Sequence, residues 1–439
     1  MFRRKIEKVL NDFYNNKEYK KALIVYGARQ IGKSFIIRET AKKVYEHYIE
    51  IDLKDDYESG RRRFGKVKTT KDFYLLLGAL FSPLGSRDDT IVFLDEIQFY
   101  PHLLTLLKPL VADNKYTYIA SGSLLGITLR HSFIPMGSVR EVRMFPMDFE
   151  EFLWANNYSE QTIDYLKDCF KYLKPINDGI HDVTLSLFKD YLISGGLPDP
   201  VKNYVLNLNV SMTRNEQQTI YAYYKDDCSK YDSDNNLKIR RIYDSLSSYM
   251  ANNVKRIQFK SIEDKKNAHY FNYANEFDYL IDSGIVLCSR AVSNPIFPLT
   301  ISKSKDLVKL FYNDVGLLSD ILFKNNIDAI LNTDKNINLG SVYETVVAME
   351  LVAHGHELYY FDSKKVGKVD FLINDYDNLA ILPIEIKSGK DQFNYRAIPR
   401  LLDPNGNYKL NKGYVFGNKN ILKKEGNLIT APIYLVMFL

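Results

Sequence analysis

The sequence predicts an α/β protein: a parallel sheet with helices on both faces, a helical region, and a second α/β unit. Three observations carry this. Residues 1 to about 150 alternate strand-like and helix-like segments. Within them, Gly27 to Ser34 read GARQIGKS, the phosphate-cradling pattern G-x-x-x-x-G-K-[ST]. Towards the other end, two alternating segments joined by a polar turn set acids and a lysine on one hairpin face.

The elements follow in order. ALIVY (Ala22 to Tyr26) reads as a buried strand, and FIIRETAKKVYEHY (Phe35 to Tyr48) as an amphipathic helix. A strand, a tight turn and a helix start aim backbone N–H groups and the positive helix end at one point, which suits phosphate. Gly27 and Gly32 allow the close backbone approach, Lys33 reaches the β- and γ-phosphates, and the Ser34 hydroxyl suits Mg²⁺. The nucleotide-site candidates are therefore Gly27, Ala28, Arg29, Gln30, Ile31, Gly32, Lys33 and Ser34, with Phe35 behind them. YIEIDL (Tyr48 to Leu53) and a helix around Asp72 to Leu80 come next. Then the strand Ile91 to Leu94 ends in Asp95 and Glu96, expected beside the phosphate strand. Asp95 is the candidate for the metal, through water, and Glu96 for the base that activates the attacking water. After a helix near His102 to Val111, YTYIASGS (Tyr116 to Ser123) gives a further strand. Ser121 or Ser123 at its end is a candidate γ-phosphate sensor; an ordinary strand-ending turn accounts for them equally well.

Gly137 to Ala155 supplies a last strand and a helix opened at Pro146 to Asp148. The pattern is then helical to about Asp227, with a turn at SGGLPDP (Ser194 to Pro200). Leu237 to Leu299 reads as helices ending in a hairpin, an order that fits a winged helix. Arg240, Arg241, Lys255, Arg256 and Lys260 lie there, either a nucleic-acid patch or the ordinary covering of a solvated face. The expected division is 1–155, 156–300 and 301–439.

In the last part, Asp370 in KVDFLI and Glu385 and Lys387 in ILPIEIKSGK share a face of the predicted hairpin. Upstream, the apolar helix GSVYETVVAMELVA (Gly340 to Ala353) carries Glu344, a carboxylate that needs a partner or a metal. Asp370 and Glu385 as Mg²⁺ ligands, Glu344 completing the set and Lys387 activating water make a hydrolytic site. A half-exposed hairpin with a cross-strand Glu–Lys pair fits the same pattern.

Composition bounds the rest. At 439 residues the chain needs two or three cores, and its 46% hydrophobic content supplies them. No run approaches the roughly 18 apolar residues of a membrane helix. The opening MFRRKIEKVLNDF lacks the apolar centre of a secretion signal. Cys169, Cys228 and Cys288 are too widely spaced for a disulfide framework or zinc site, so reduced thiols in the cytoplasm are expected. A net charge of +5 permits nucleic acid without arguing for it.

Taken together, the chain resembles the prokaryotic AAA+-like ATPases whose P-loop module is fused to a C-terminal domain of uncharacterised function. The resemblance is carried by GARQIGKS, FLDEIQ, ASGS and MFPMDFEEFL, by YLISGGLPDPV and YKDDCSKY, and by LVKLFYNDVGLL, GSVYETVVAMEL, KVDFLI and ILPIEIKSG. It implies an ATPase module using ATP and Mg²⁺, a winged-helix segment, and a terminal domain similar to the PD-(D/E)xK restriction-endonuclease-like fold. Lys33, Ser34, Asp95 and Glu96 take the nucleotide roles; Glu344, Asp370, Glu385 and Lys387 fall on the nuclease-like pattern. Related sequences often carry an Arg soon after the Gly matching Gly137, where this chain has Ser138. Arg130 or Arg140 is then the candidate finger on a neighbour's γ-phosphate in a homo-oligomer, but no motif fixes either.

The leading functional expectation is an ATP-driven machine or switch whose output domain acts on DNA or RNA. Nuclease activity of the terminal domain is a second. A nucleotide-dependent signalling or scaffold switch that partners only with proteins is a third, favoured by the modest charge. A small-molecule kinase is disfavoured, because the acid pair suits water activation.

Overall fold

The computed structural model describes residues 1–16, 20–82, 84–123, 137–230, 236–251, 257, 259–263, 269–331, 338–389, 395–408 and 410–439. It divides into two units, residues 3–145 with 282–284, and residues 146–281 with 285–439.

The first unit is the predicted parallel sheet. In chain order it contains α1 (Ile6–Asn15), β1 (Ala22–Tyr26), α2 (Lys33–Ala41), β2 (His47–Asp52), α3 (Leu53–Glu58), α4 (Thr70–Leu80), β3 (Thr90–Asp95), α5 (His102–Ala112), β4 (Thr117–Gly122) and β5 (Val139–Arg143). The strand order is β2-β3-β4-β1-β5, every pair parallel. The expectation that the Asp95 strand lies beside the phosphate strand is corrected: β4 lies between them, with Leu23 opposite Ile119 and Phe93 opposite Ile119. Strand adjacency depends on where each crossover lands, which local sequence does not encode. The central strands β1 and β3 are buried on both faces, as their continuous apolar runs predict. One core gathers Ile24, Val92, Leu94 and Ala120 from the sheet with Phe73, Leu77, Leu103 and Leu107 from α4 and α5. Helix α4 starts at a capping box in which Thr69 and Asp72 satisfy each other's backbone N–H groups.

The second unit begins with helices α6 (Phe149–Ala155), α7 (Glu160–Tyr172), α8 (Asp178–Ser194), α9 (Pro198–Asn207), α10 (Val210–Lys230), α11 (Asn236–Ala251), α12 (Lys260–Glu263) and α13 (Ala274–Asp282). Strands β6 (Val286–Val292) and β7 (Lys303–Tyr312) precede α14 (Val315–Phe323), α15 (Asp328–Leu331) and α16 (Gly340–Ala353). The chain ends with β8 (Leu358–Ser363), β9 (Gly367–Asp375), β10 (Ala380–Lys387), α17 (Ala397–Leu402), β11 (Gly413–Gly417), β12 (Lys423–Glu425) and β13 (Leu428–Pro432). The eight strands form one mixed sheet in the order β12-β13-β11-β10-β9-β8-β6-β7. The hairpin read as a wing is β6–β7, and it is no free wing: β6 pairs in parallel with β8 on its other side. Pairing across that sequence distance leaves no local signature. Arg240 and Arg241 of the proposed basic patch are exposed; Lys255, Arg256 and the Lys260 side chain lie outside the described residues.

Buried carboxylates organise the helices of this unit. Asp148 caps α6 through a capping box with Glu151, and Glu350 of α16 accepts the Phe149 N–H at 2.7 Å. Asp314 caps α14 and also accepts the Gly196 N–H at 2.6 Å, tying the SGGLP turn to that helix start. Cys169 and Cys288 are free thiols, and the Cys228 side chain lies outside the described residues. Among the described residues no helix is long and apolar enough to cross a membrane.

A Cβ on Gly196 would stand 2.0 Å from the Met147 carbonyl oxygen, a backbone atom that cannot swing aside. Gly196→Ala is expected to lose about 1–3 kcal/mol through overpacking, seen as a lower Tm of the full chain. Gly78 lies inside α4 with nothing near its Cβ position, so Gly78→Ala should gain about 1 kcal/mol. Equal Tm changes of one sign would contradict the packing at Gly196.

Candidate functional site

The loop from β1 to α2 is shaped by its glycines. Gly27 has φ 148° and Gly32 φ 90°, and a Cβ on Gly27 would come within 2.2 Å of the Met144 carbonyl oxygen. Two other residues here, Gln30 and Glu96, also hold positive φ, 60° and 54°, at a cost of about 1 kcal/mol or more each. Arg4 braces the loop from outside: its guanidinium donates to the Ile31 carbonyl at 3.0 Å and to the Phe145 carbonyl at 2.7 Å. The opening turn of α2 supplies N–H groups without intrahelical acceptors, the donors that an anion takes. The Lys33 ammonium folds back onto the carbonyls of Gly27, at 3.0 Å, and Ala28, at 2.7 Å. Ala28 and Ile31 are buried, Gln30 is exposed, and Phe35 points outwards, 48% exposed.

The acids meet this loop across the sheet. Asp95 Oδ1 accepts the Ser34 hydroxyl at 2.9 Å and also the Ser121 hydroxyl. Glu96 Oε2 accepts the Ser123 hydroxyl at 3.0 Å and the Gln98 amide. Ser123 Oγ in turn accepts Nε of Arg29 at 3.1 Å. The two serines offered by the sequence thus separate: Ser121 holds Asp95, and Ser123 joins Glu96 to the loop. Hydroxyl and carboxylate converging as Ser34 and Asp95 do form a hard-oxygen pair of the kind Mg²⁺ takes alongside retained water, so these residues fit that ion.

Burial sets the protonation of the group. It pulls the Lys33 ammonium down to about 8, against the opposing pull of Glu96 and Asp95. Burial also raises Asp95, only partly countered by the Ser121 and Ser34 hydroxyls. Glu96 ends below the usual carboxylate range: burial pushes it up, but Lys33, Gln98, Arg29 and Ser123 together outweigh that. Glu96 is therefore kept ionised, the state in which a carboxylate accepts a proton, while the lowered value makes it a weaker base than a free glutamate.

The second constellation lies in the mixed sheet. Strands β9 and β10 pair with Ile384 opposite Phe371, so the next step brings Asp370 and Glu385 together, and Asp370 Oδ2 accepts the Ile386 N–H at 2.9 Å. Lys387 pairs with Glu385 at 2.8 Å. Burial pushes Asp370 up to about 8, reinforced by Glu385 and by Glu344 of α16 and eased by Lys309 of β7. Burial likewise raises Glu385, with Lys387 opposing. Glu344, Asp370, Glu385 and Lys387 are therefore neighbours, as the hairpin and helix predict. Among the described residues, however, no group of three or more His, Cys, Asp or Glu side chains is placed to hold a metal ion. The three carboxylates do not form a ligand set as they stand.

Residues 19–153 match the family model of an AAA domain. This part of the chain is thus similar to AAA domains, and its parallel sheet is that of a P-loop NTPase fold. Residues 185–328 and 339–435 match two domains of unknown function, DUF8612 and DUF4143. No curated protein matches the chain. Similar solved structures include a Walker-type ATPase of Pyrococcus abyssi, 14% identical, covering 73% of this chain and 95% of that one at a TM-score of 0.42. The RuvB Holliday junction branch migration motor of Thermotoga maritima is 11% identical, covering 64% of this chain and 87% of that one at 0.29. A signal transduction ATPase with numerous domains from Pyrococcus horikoshii is 12% identical, covering 78% of this chain and 45% of that one at 0.26.

In the AAA-type module, Arg4 and Gln98 were not legible as site residues, because each acts through a contact distant in sequence or through an ordinary amide. Lys309 was missed at the second cluster for the same reason: its strand pairs with β6, far from the E-x-K segment. Arg140 is exposed on β5, opposite Leu23 and three residues before the strand end; Arg130 lies outside the described residues.

The raised Asp370 gives a pH test. Its folded value lies above the ordinary 3.8, so the folded chain holds this proton more tightly than the unfolded one. That contribution is complete below the ordinary value and fades as pH rises towards the folded one. Asp370→Asn lacks it. The Tm of the variant minus that of the native chain should grow between pH 5 and pH 8.5, without divalent cations; a constant difference contradicts the coupled cluster.

Proposed function

We propose that this protein is an Mg²⁺-dependent ATPase whose nucleotide cycle drives an output by the C-terminal unit on DNA or RNA. The observation that carries the ATPase reading is the meeting of Ser34, Asp95, Glu96 and Ser123 at the mouth of the P-loop. In this reading Lys33 holds the β- and γ-phosphates, and phosphate charge in the cradle restores the proton that burial loosens. Glu96 accepts a proton from water as the water oxygen attacks the γ-phosphorus. The bond from that phosphorus to the bridging oxygen breaks, and ADP and phosphate leave. Ser34 and, through water, Asp95 would hold the Mg²⁺, which would neutralise charge on the phosphate oxygens. Contacts to the γ-phosphate exist only before cleavage, which is the difference a machine or switch needs.

A second reading has an observation in its favour. Glu385 is paired with Lys387 and no metal-holding group is present among the described residues. This suits a nucleotide-dependent signalling or scaffold protein whose nuclease-like cluster is catalytically silent. Exposed Arg240 and Arg241 and the net charge of +5 leave nucleic acid admissible.

Lys33→Ala should abolish ATP turnover. Glu96→Gln should keep ATP binding while turnover falls about 10²-fold or more. Native turnover in both variants would remove the ATPase reading. For the output, turnover is measured with and without single- and double-stranded DNA and RNA, and cleavage is followed by gel with Mg²⁺ present. Stimulation or cleavage that disappears in Asp370→Ala and Lys387→Ala supports the nucleic-acid output; neither effect with any substrate selects the switch.

A further inference from the structure

Arg29 is the third residue of the phosphate loop, and nothing in the generic G-x-x-x-x-G-K-[ST] pattern asks for a charge there. Its side chain is half-buried and turned towards β4, where Nε donates to Ser123 Oγ at 3.1 Å. The same hydroxyl donates to Glu96 Oε2 at 3.0 Å. Gln98 reaches both Glu96 and, at 3.4 Å, Ser123. Arg29 therefore stands on the side of the cradle where the attacking water is activated, with Lys33 on the loop carbonyls behind it. It also acts electrostatically on both Lys33 and Glu96, which fixes it within the same small volume.

Among the described residues of this unit, the alternative sources of such a charge are poorly placed. Arg140 is exposed and sits near the start of the edge strand, three residues short of the end at which the loop lies. Arg143 at that end is half-buried, and its guanidinium lies over the Phe145 ring at 5.0 Å from the centroid.

We propose that Arg29 is a catalytic residue that contacts the γ-phosphate, an arginine finger supplied within the same chain by the phosphate loop itself. The proposal rests on the ATPase reading above. The guanidinium donates to Ser123, whose hydroxyl holds Glu96 together with Gln98. An arriving γ-phosphate offers a stronger, charge-assisted acceptor than a serine hydroxyl. The guanidinium turns to it, Ser123 is released from Arg29, and Glu96 keeps the bond to Ser123 that orients it. As the bond to the leaving ADP oxygen breaks, Arg29 lies against the equatorial oxygens, where charge spreads in the transition state. The proton still passes from water to Glu96, so Arg29 adds no step; it stabilises the one already described. A finger in the loop makes turnover a property of the single chain.

The test uses the full chain. Arg29→Ala should keep ADP affinity within about twofold yet lose kcat by about 10²-fold or more, within the range for arginine fingers. Binding of ADP with aluminium fluoride, which mimics the transferred phosphoryl group, should be lost, and guanidinium chloride should restore part of the turnover. Arg29→Lys keeps the charge without the fork and should recover only a small part of kcat; it replaces the alanine variant should that one fail to bind ADP. The native kcat should not change with protein concentration. Mixing Arg29→Ala with Lys33→Ala chains should give no recovery. Near-native kcat in Arg29→Ala, or recovery on mixing, overturns the assignment. The two readings fail separately: if Lys33→Ala and Glu96→Gln are inactive while Arg29→Ala is not, only the finger is lost, whereas native turnover in all three removes the ATPase reading itself.

Discussion

Lys33 is 5% exposed and Asp95 8%. Placing an ammonium and two carboxylates in so dry a mouth is costly for each alone, and tolerable only because they face one another. The rest of the module serves that constraint. Parallel pairing brings the ends of β1, β3 and β4 level, Gly27 removes a side chain that would collide with Met144, and Arg4 pins the loop from behind. The strained φ values of Gln30 and Glu96 fall at the same place, as expected where local preference is overridden to aim a functional group.

The second unit handles buried charge in a different way. Glu350 and Asp314 are fully buried carboxylates, yet each is answered by helix-start N–H groups, which hold the backbone together. The Asp370 cluster is not settled in that way: three acids share one region with Lys309 and Lys387, and Asp370 is held well above its ordinary range. Strain of this electrostatic kind is characteristic of sites kept for chemistry or binding.

Much of the N-terminal module was legible because its signals are local. The strand before GARQIGKS, the helix after it, the acid pair ending β3 and the cap at Asp148 each depend on residues within a few positions. Those features survive in a linear reading. The place of β4 between β1 and β3, the division of labour between Ser121 and Ser123, and the joining of β6 to β8 do not. All three are settled by crossovers and long-range pairing.

The sequence by itself determined which chemistry is available: a phosphate cradle with its lysine and hydroxyl, an acid pair at a strand end, and acids with a lysine around a hairpin. Those groups follow from residue type and short spacing, through backbone periods that act over a single turn or pleat. Only the tertiary structure decided which groups meet. It joined Arg29 to Glu96 through Ser123, set Arg4 behind the loop, and brought Glu344 within electrostatic reach of Asp370. Distances between side chains on different elements are set by packing of the whole unit, and no stretch of chain carries that information alone.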